Sequence, residues 1–171
     1  MAMTERDTMA EGTGRVSRVL ALLVSLAVCF AAAAAGGILT ATSVGGWYQA
    51  LAKPPFNPPD WIFAPVWNLL FVLMAIAAWR IWCQVPAGIV RRTALALFGG
   101  QLVANVLWSG LFFGLREPGW ALAEIVVLEA LILITLTAFR RLDRPAGLLL
   151  VPYAAWVGFA LALNASIWWL N

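Results

Sequence analysis

The sequence predicts an all-α membrane protein, a bundle of five transmembrane helices. Three observations predict it. The chain of 171 residues is 63% hydrophobic and only 11% charged, where a soluble domain carries about 25% charged residues. Its mean hydropathy is +0.89. Five apolar stretches follow one another, each near the ~20 residues that cross a bilayer. With lipid outside the bundle, packing and polar contacts between helices hold such a fold together.

The elements read in order as follows. Residues 1–15 are polar with mixed charge and are expected to form a disordered tail, leaving 16–171 as one transmembrane domain. The spans are expected at about 16–40, 61–82, 93–115, 118–139 and 145–170. Pro118 and Pro145 suit the first turn of a helix, where a missing N–H costs nothing. Arg91 and Arg92 precede the third span; Arg140, Arg141 and Arg144 separate the fourth from the fifth. A cleavable signal peptide is the rival reading of Arg15, Arg18 and the alanines at 31–35, and cleavage would leave four spans.

Basic residues fix the expected orientation. With five spans, the tail and the second and fourth connections carry nine of the 11 Lys and Arg residues. The other side carries Lys53 and Arg116. This bias places the N-terminus in the cytoplasm and the C-terminus outside, in a bacterial cell membrane by preference, because the rule operates in an energised membrane. It also explains the positive net charge without a nucleic-acid partner.

The connection at 41–60 differs from the rest. The run Trp47-Tyr48-Gln49-Ala50-Leu51-Ala52-Lys53-Pro54-Pro55-Phe56-Asn57-Pro58-Pro59-Asp60-Trp61 combines prolines with aromatics. Proline removes backbone donors and resists helix interiors, so this stretch cannot span a membrane. Aromatics at such a junction favour the bilayer interface or the cover of an apolar chamber. A long ordered loop among short ones is usually functional. We expect a stiff cap over the bundle.

Composition also excludes chemistry. There is no histidine, which removes the commonest metal ligand and the usual general base near neutral pH. Cys29 and Cys83 lie in apolar segments and read as small buried hydrophobes rather than a disulfide framework or metal site. No nucleophile–base pair is visible, so hydrolytic catalysis finds no support.

Some intramembrane residues need partners. Gln101 and Asn105 share a helix face at i, i+4, and Trp108 extends the stripe. Amides in hydrocarbon must face other helices or a ligand. Glu124 and Glu129 lie within the fourth span, where a carboxylate is functional by default; a helix–helix hydrogen bond is the structural alternative. Desolvation would favour their protonated forms. Ala96, Gly100 and Ala104 repeat every four residues, and Gly110 with Gly114 forms GxxxG. The third span is therefore the dimerisation candidate, with packing inside one protomer as the rival. Trp79, Trp82, Trp168 and Trp169, near helix ends, read as interfacial anchors.

Several motifs in order then resemble one family. They are W-Y-x-x-L-x-K-P-x-aromatic-x-P-P at 47–59, Pro65 with Trp67, and Gln101 with Asn105. Further on come Phe112-Phe113-Gly114, Gly119-Trp120-Ala121-Leu122, V-P-Y-x-x-W at 151–156, and Leu163-Asn164. The chain resembles the TspO/translocator protein family, also called tryptophan-rich sensory proteins or peripheral-type benzodiazepine receptors, over nearly everything after about Leu20. The resemblance implies a five-helix membrane bundle, commonly a homodimer. It implies binding of porphyrins such as protoporphyrin IX or haem, and of isoquinoline, benzodiazepine-type or sterol ligands. In some members it implies light-dependent protoporphyrin degradation.

Carried over by residue, the resemblance points to a cavity beneath the loop. Trp47, Tyr48, Pro58, Pro59 and Phe63 would contribute from the loop side. Trp67, Gln101, Asn105, Trp108, Phe112 and Glu124 would contribute from the middle spans. Trp156, Ala160 and Asn164 would contribute from the last, with Ala160 shaping ligand fit. Trp67 and Trp156 would be the catalytic pair if the chemistry is photo-oxidative; lipid-facing indoles are the alternative. Lys53 would meet a porphyrin propionate or cap the loop. The animal sterol motif needs a tyrosine followed by a basic residue. The stretch Leu163-Asn164-Ala165-Ser166-Ile167-Trp168-Trp169-Leu170-Asn171 has neither, although Arg92, Phe98 and Leu102 fit the reversed pattern. No obligatory cofactor is implied. The functional expectations are a porphyrin-binding receptor or translocator in tetrapyrrole homeostasis or stress sensing, a light-dependent degrading enzyme, or a partner-organising membrane protein without its own ligand.

Overall fold

A computed structural model describes the backbone of residues 5–171 and the side chains of 16–171. The expected disordered tail at 1–15 thus concerns side chains outside the described residues, and for 1–4 the backbone as well. Helix α1 runs Glu5–Ala41 and α2 is one turn, Trp47–Ala50. A 3-10 turn, Asp60–Ile62, leads into α3, Phe63–Gln84. Helix α4, Ile89–Ser109, continues into a π-helical segment, Gly110–Gly114. Then follow α5 (Pro118–Leu142), α6 (Arg144–Leu149) and α7 (Val151–Leu170). Among the described residues, five stretches are long and apolar enough to cross a membrane: Val16–Ala41, Asp60–Gln84, Ile89–Gly114, Pro118–Leu142 and Arg144–Leu170. The protein is an integral, multi-pass membrane protein with the expected number and order of spans.

Proline and capping chemistry set the breaks. Pro118 opens α5, and Pro145 and Pro152 fall in the first turns of α6 and α7, where φ is already suited and no N–H is needed. The fifth span is two helices, because the chain breaks at Leu150 before continuing. Asp143 governs this corner. Its Oδ2 accepts from the Ala146 N–H at 3.2 Å and caps α6. Its two oxygens also accept from Arg80 Nε at 2.6 Å and Nη2 at 3.1 Å. The Arg80 side-chain bond holds the Asp143 carboxyl below its usual range against the opposing effect of burial, as expected for a bidentate guanidinium–carboxylate pair.

The bundle has two unlike halves. Toward the arginine-bearing end its centre is packed: Met74, Ala78, Ile81, Phe98, Leu128, Ile132 and Phe139 are buried, and Phe98 stacks on Phe139 at 5.9 Å. Gly147 lets α6 approach α5 closely, since a Cβ there would lie 2.5 Å from Arg140 Cβ. Toward the proline loop the helices separate around a chamber.

The small residues of the third span do not share one environment. Ala96 and Gly100 face outward, whereas Ala104 is buried in the protomer. Gly110 and Gly114 approach Leu39 of α1, whose methyls lie 3.7 Å from where a Cβ would be. That part of the stripe packs within one chain.

Candidate ligand cavity

The chamber has a volume of about 460 Å³, within the ~300–1,000 Å³ of small-molecule sites. Its wall on α1 is made of small residues: Ala32, Ala33, Gly36, Gly37 and Thr40. They recur at i, i+4, so they form one face, and their small size is what opens the space. Gly36 also lets α1 meet α4, since a Cβ there would sit 3.2 Å from Ser109 Oγ. Helix α3 contributes Phe63, Ala64, Trp67, Asn68 and Phe71. The wall is thinnest between α1 and α3, where Gly37, Ala64 and Asn68 line the chamber and are themselves exposed.

Trp67 and Trp156 both line this space. Trp67 packs beside Phe71 at 5.8 Å and edge-on to Tyr153 at 6.3 Å. Trp156 packs edge-on to Phe63 at 5.9 Å and beside Phe159 at 5.6 Å. Each indole is therefore held by other aromatics, the arrangement that aromatic quadrupoles favour.

The third-span stripe supplies the polar groups. Asn105 Nδ2 donates to the Tyr153 hydroxyl at 3.3 Å, and both residues are buried. Trp108 Nε1 donates to Asn164 Oδ1 at 3.1 Å, and Asn164 Nδ2 donates to the Pro118 carbonyl at 2.9 Å. Asn164 thus ties α4, α5 and α7 together at the chamber wall. The π-helical segment presents both Phe112 and Phe113 to the chamber, with Phe112 stacked on Trp108 at 5.4 Å. A π-helix widens the turn and often occurs where function requires it.

The loop closes the top. The Tyr48 hydroxyl donates to Asn57 Oδ1 at 3.1 Å, and its ring packs on Phe113 at 5.6 Å. Trp47 meets Phe112 edge-on at 5.8 Å. Buried Ser43 donates to the Phe113 carbonyl at 2.6 Å and accepts from Arg116 Nε at 3.2 Å. Arg116 has a positive φ, 60°, a backbone conformation of the left-handed region. At the other margin, Asn171 and Ala52 exchange two hydrogen bonds, of 3.0 and 3.1 Å. Lys53 Nζ donates to the Gln49 carbonyl at 3.3 Å and lies 4.6 Å from the Tyr48 ring centre, the loop-capping arrangement of the two foreseen for it. Gln49 Nε2 donates to Asp60 Oδ2 at 2.7 Å. Burial and then the Asp60 charge raise the Tyr48 hydroxyl above its ordinary value, against the hydrogen bond to Asn57, so Tyr48 is a neutral phenol at the roof.

The structure brings together Tyr48, Phe63, Trp67, Asn105, Trp108, Phe112, Trp156, Ala160 and Asn164 around the chamber. It sets five other expected residues outside the lining. Trp47 backs Phe112 from behind. Pro58 and Pro59 shape the loop, and the Pro58 carbonyl accepts from Asn57 at 3.1 Å. Gln101 lies deeper, its Nε2 3.9 Å from Met74 Sδ and its Oε1 enclosed without a hydrogen-bond partner among the described residues. Glu124 lies on α5 behind the lining; one carboxylate oxygen of Glu124 and one of Glu129 are likewise enclosed without a partner. Conversely, the α1 face, Asn68, Ser109 and Asp60 were not foreseen. The repeat of small residues from Ala32 to Ala41 was the available signal for the first of these.

Among the described residues, no three His, Cys, Asp or Glu side chains gather to hold a metal ion. The arrangement suits a flat, apolar guest: aromatic faces on several sides, amides and a phenol at fixed points, and a roofed interior.

The model of the TspO/MBR family matches residues 25–170. The chain is 41% identical to tryptophan-rich protein TspO of Chlorobaculum tepidum over 160 residues, covering 90% of this chain and 98% of that one. It is 38% identical to the translocator protein of Ovis aries over 139 residues, covering 78% and 82% respectively. It is 37% identical to protein CrtK of Rhodobacter capsulatus, covering 87% of this chain and 94% of that one. By the family match over most of its length and by these identities, the chain belongs to the TspO/MBR family.

Proposed function

We propose that this protein binds a flat, apolar tetrapyrrole such as protoporphyrin IX in the roofed chamber and serves tetrapyrrole homeostasis or stress sensing. The observation that carries this reading is the convergence of Trp67, Trp108 and Trp156 on one 460 Å³ space. Three indoles supply broad apolar faces, while Asn105, Asn164 and Tyr48 supply the few polar contacts that fix orientation. Isoquinoline- or benzodiazepine-type ligands suit the same chemistry. Asp60 is the acidic side chain at the lining, so a porphyrin's propionates would point away from it, toward Lys53 or the aqueous surface.

The same indoles favour one second reading, photo-oxidation of the bound porphyrin. Light-excited porphyrin would pass an electron to dioxygen, and the porphyrin radical cation and superoxide would combine at a ring carbon, so that both oxygen atoms enter the opened product; Trp67 and Trp156 would exchange electrons reversibly with the ring, with no net change at either indole. The N-terminus is proposed to lie in the cytoplasm of a bacterial cell, with the roof outside, on the strength of the arginine distribution. A homodimer is proposed through the outward residues Ala96 and Gly100, which permit close helix approach.

The test is a titration of purified protein with protoporphyrin IX, followed by tryptophan quenching and then illumination. Saturable quenching, weakened in Trp67→Phe and Trp156→Phe, supports binding. Light-dependent bleaching to a new absorbing species, lost in those variants, supports the photochemical reading. Absence of saturable quenching refutes both and favours a partner-organising role.

A further inference from the structure

We propose that a second crevice, at the arginine-bearing end of the bundle, is a binding site for an anionic phospholipid. This crevice has a volume of about 420 Å³ and lies between α1, α3 and α4. It is separate from the roofed chamber. It uses residues 17–28 of α1, where the chamber uses 32–41, and 95–102 of α4, where the chamber uses 105–113. Phe98 and Leu102 form its buried floor. Gly99 gives it depth, since a Cβ there would meet nothing within 4 Å. Val24 and Leu95 line its sides, and Trp82 lines it near the ends of α3 and α4.

An apolar trough alone would not select a ligand inside a bilayer, because a lipid tail is as well solvated by other tails. Selection must come from the headgroup, and the end of the trough is built for a phosphate. The Arg91 guanidinium lies 4.4 Å from the Trp82 ring centre. Its Nη1 donates to the carbonyls of Trp82 at 3.1 Å and Val85 at 3.4 Å. Stacking and two carbonyls hold the charge in place and leave Nε and Nη2 for a further acceptor; a guanidinium presents its donors as a rigid fork that matches phosphate oxygens. Arg18 and Arg92 are exposed at the same end. Trp79 Nε1 donates to the Arg18 carbonyl at 2.9 Å, which pins α1 to α3 beside the trough. A single molecule with an apolar tail and an anionic head satisfies both parts. The reversed sterol pattern of Arg92, Phe98 and Leu102 falls on the same surface, but a sterol's hydroxyl gives three arginines no charge to neutralise.

The experiment is native mass spectrometry of the delipidated full-length protein. It is titrated with phosphatidylglycerol, phosphatidylcholine of the same chains, and cholesterol. We expect phosphatidylglycerol to be retained at least tenfold more than phosphatidylcholine, at about fivefold for each arginine engaged. Arg91→Gln should lower phosphatidylglycerol retention about fivefold and leave phosphatidylcholine unchanged. Gly99→Leu, which enters open space and so leaves the thermal midpoint unchanged, should lower retention of both phospholipids. Arg92→Gln is the exposed second variant and should act in the same direction as Arg91→Gln. Equal retention of the two phospholipids, phosphatidylglycerol retention unchanged in both Arg91→Gln and Gly99→Leu, or cholesterol displacing phosphatidylglycerol would overturn the proposal. So would a loss of dimer in Gly99→Leu with lipid retention unchanged, which would assign the crevice to a second copy of the chain.

Discussion

Replacing Asn164 by leucine tests the chamber wall at its most constrained point. Asn164 is 1% exposed, accepts from the Trp108 indole and donates to the Pro118 carbonyl. Leucine fills nearly the same volume, so the cavity contribution is small and the effect is that of two lost hydrogen bonds. A buried donor or acceptor left unpaired costs about 1–3 kcal/mol each in water-soluble proteins. Interhelical hydrogen bonds in bilayers average only about 0.6 kcal/mol and reach about 1.7, since the unfolded chain in the membrane also finds partners. Two bonds of the membrane kind give an expected loss of about 1–3 kcal/mol. The second consequence is local. Trp108 keeps its stack on Phe112 but loses the tether that fixes its plane, so protoporphyrin IX affinity should fall several-fold. Reversible unfolding in mixed micelles, followed by circular dichroism, measures the first effect; the quenching titration measures the second. A variant that unfolds within about 0.5 kcal/mol of wild type and binds porphyrin unchanged would show that Asn164 neither joins the three helices nor positions Trp108.

Three other outcomes follow from the same geometry. Gly147→Ala would place a Cβ 2.5–2.6 Å from Arg140 Cβ, Cα and N. It should cost about 2–3 kcal/mol in the same unfolding assay, whereas Gly99→Ala should be silent. Ala160→Phe should project a ring into the chamber beside Trp156, lowering tetrapyrrole affinity at least about tenfold while leaving the unfolding midpoint equal or higher. Asp143 has its carboxyl held below the usual range by Arg80. Its contribution is therefore complete above the unfolded aspartate value of about 4 and is lost as pH falls through the lower folded value. Thermal midpoints of wild type should thus drop below pH 4, while Asp143→Asn starts about 1 kcal/mol lower at pH 7 and shows a shallower acid slope.

The spans were legible because crossing a bilayer imposes length and composition together, and neither needs tertiary information. Turn chemistry was legible for the same reason: Pro118 and Pro145 fall in first turns whatever packs around them. Which face of each helix points inward was far less legible. In water, polar residues mark the outside. In lipid both faces are apolar, so Val103 and Leu102 look alike although one is 70% exposed and the other 4%. Size then becomes the remaining cue, and it is ambiguous. The small residues of the third span read as a dimer seam, yet Gly110 and Gly114 face Leu39 in the same chain. The small face of α1, which opens the chamber, is the same kind of pattern. Trp67 and Trp156 were located by the family motifs, since no periodicity distinguishes a cavity indole from an interfacial one. Gln101 and Glu124 were drawn toward the site because buried polar groups demand partners, but that demand says nothing about which neighbour meets it.

The two halves of the bundle use one design rule with opposite results. Membrane helices associate by close packing, and a side chain that is missing on one helix must be answered by a larger one on its neighbour. At the arginine-bearing end, on the side facing α5 and α6, the answer is given: Phe98 and Phe139 stack, Met74 is buried, and Gly147 lets α6 settle onto Arg140. Near the roof it is withheld. Gly36, Gly37, Ala32 and Ala33 face Trp67, Trp108 and Trp156 across the chamber, and those indoles pack on neighbouring aromatics. The loop over the chamber is fastened at many points: Ser43 to Phe113 and Arg116, Tyr48 to Asn57, Gln49 to Asp60, Ala52 to Asn171. A bundle selected only for stability would have placed leucines along α1 and needed no such fastening. The open face and the fastened roof make physical sense together as the two halves of a container.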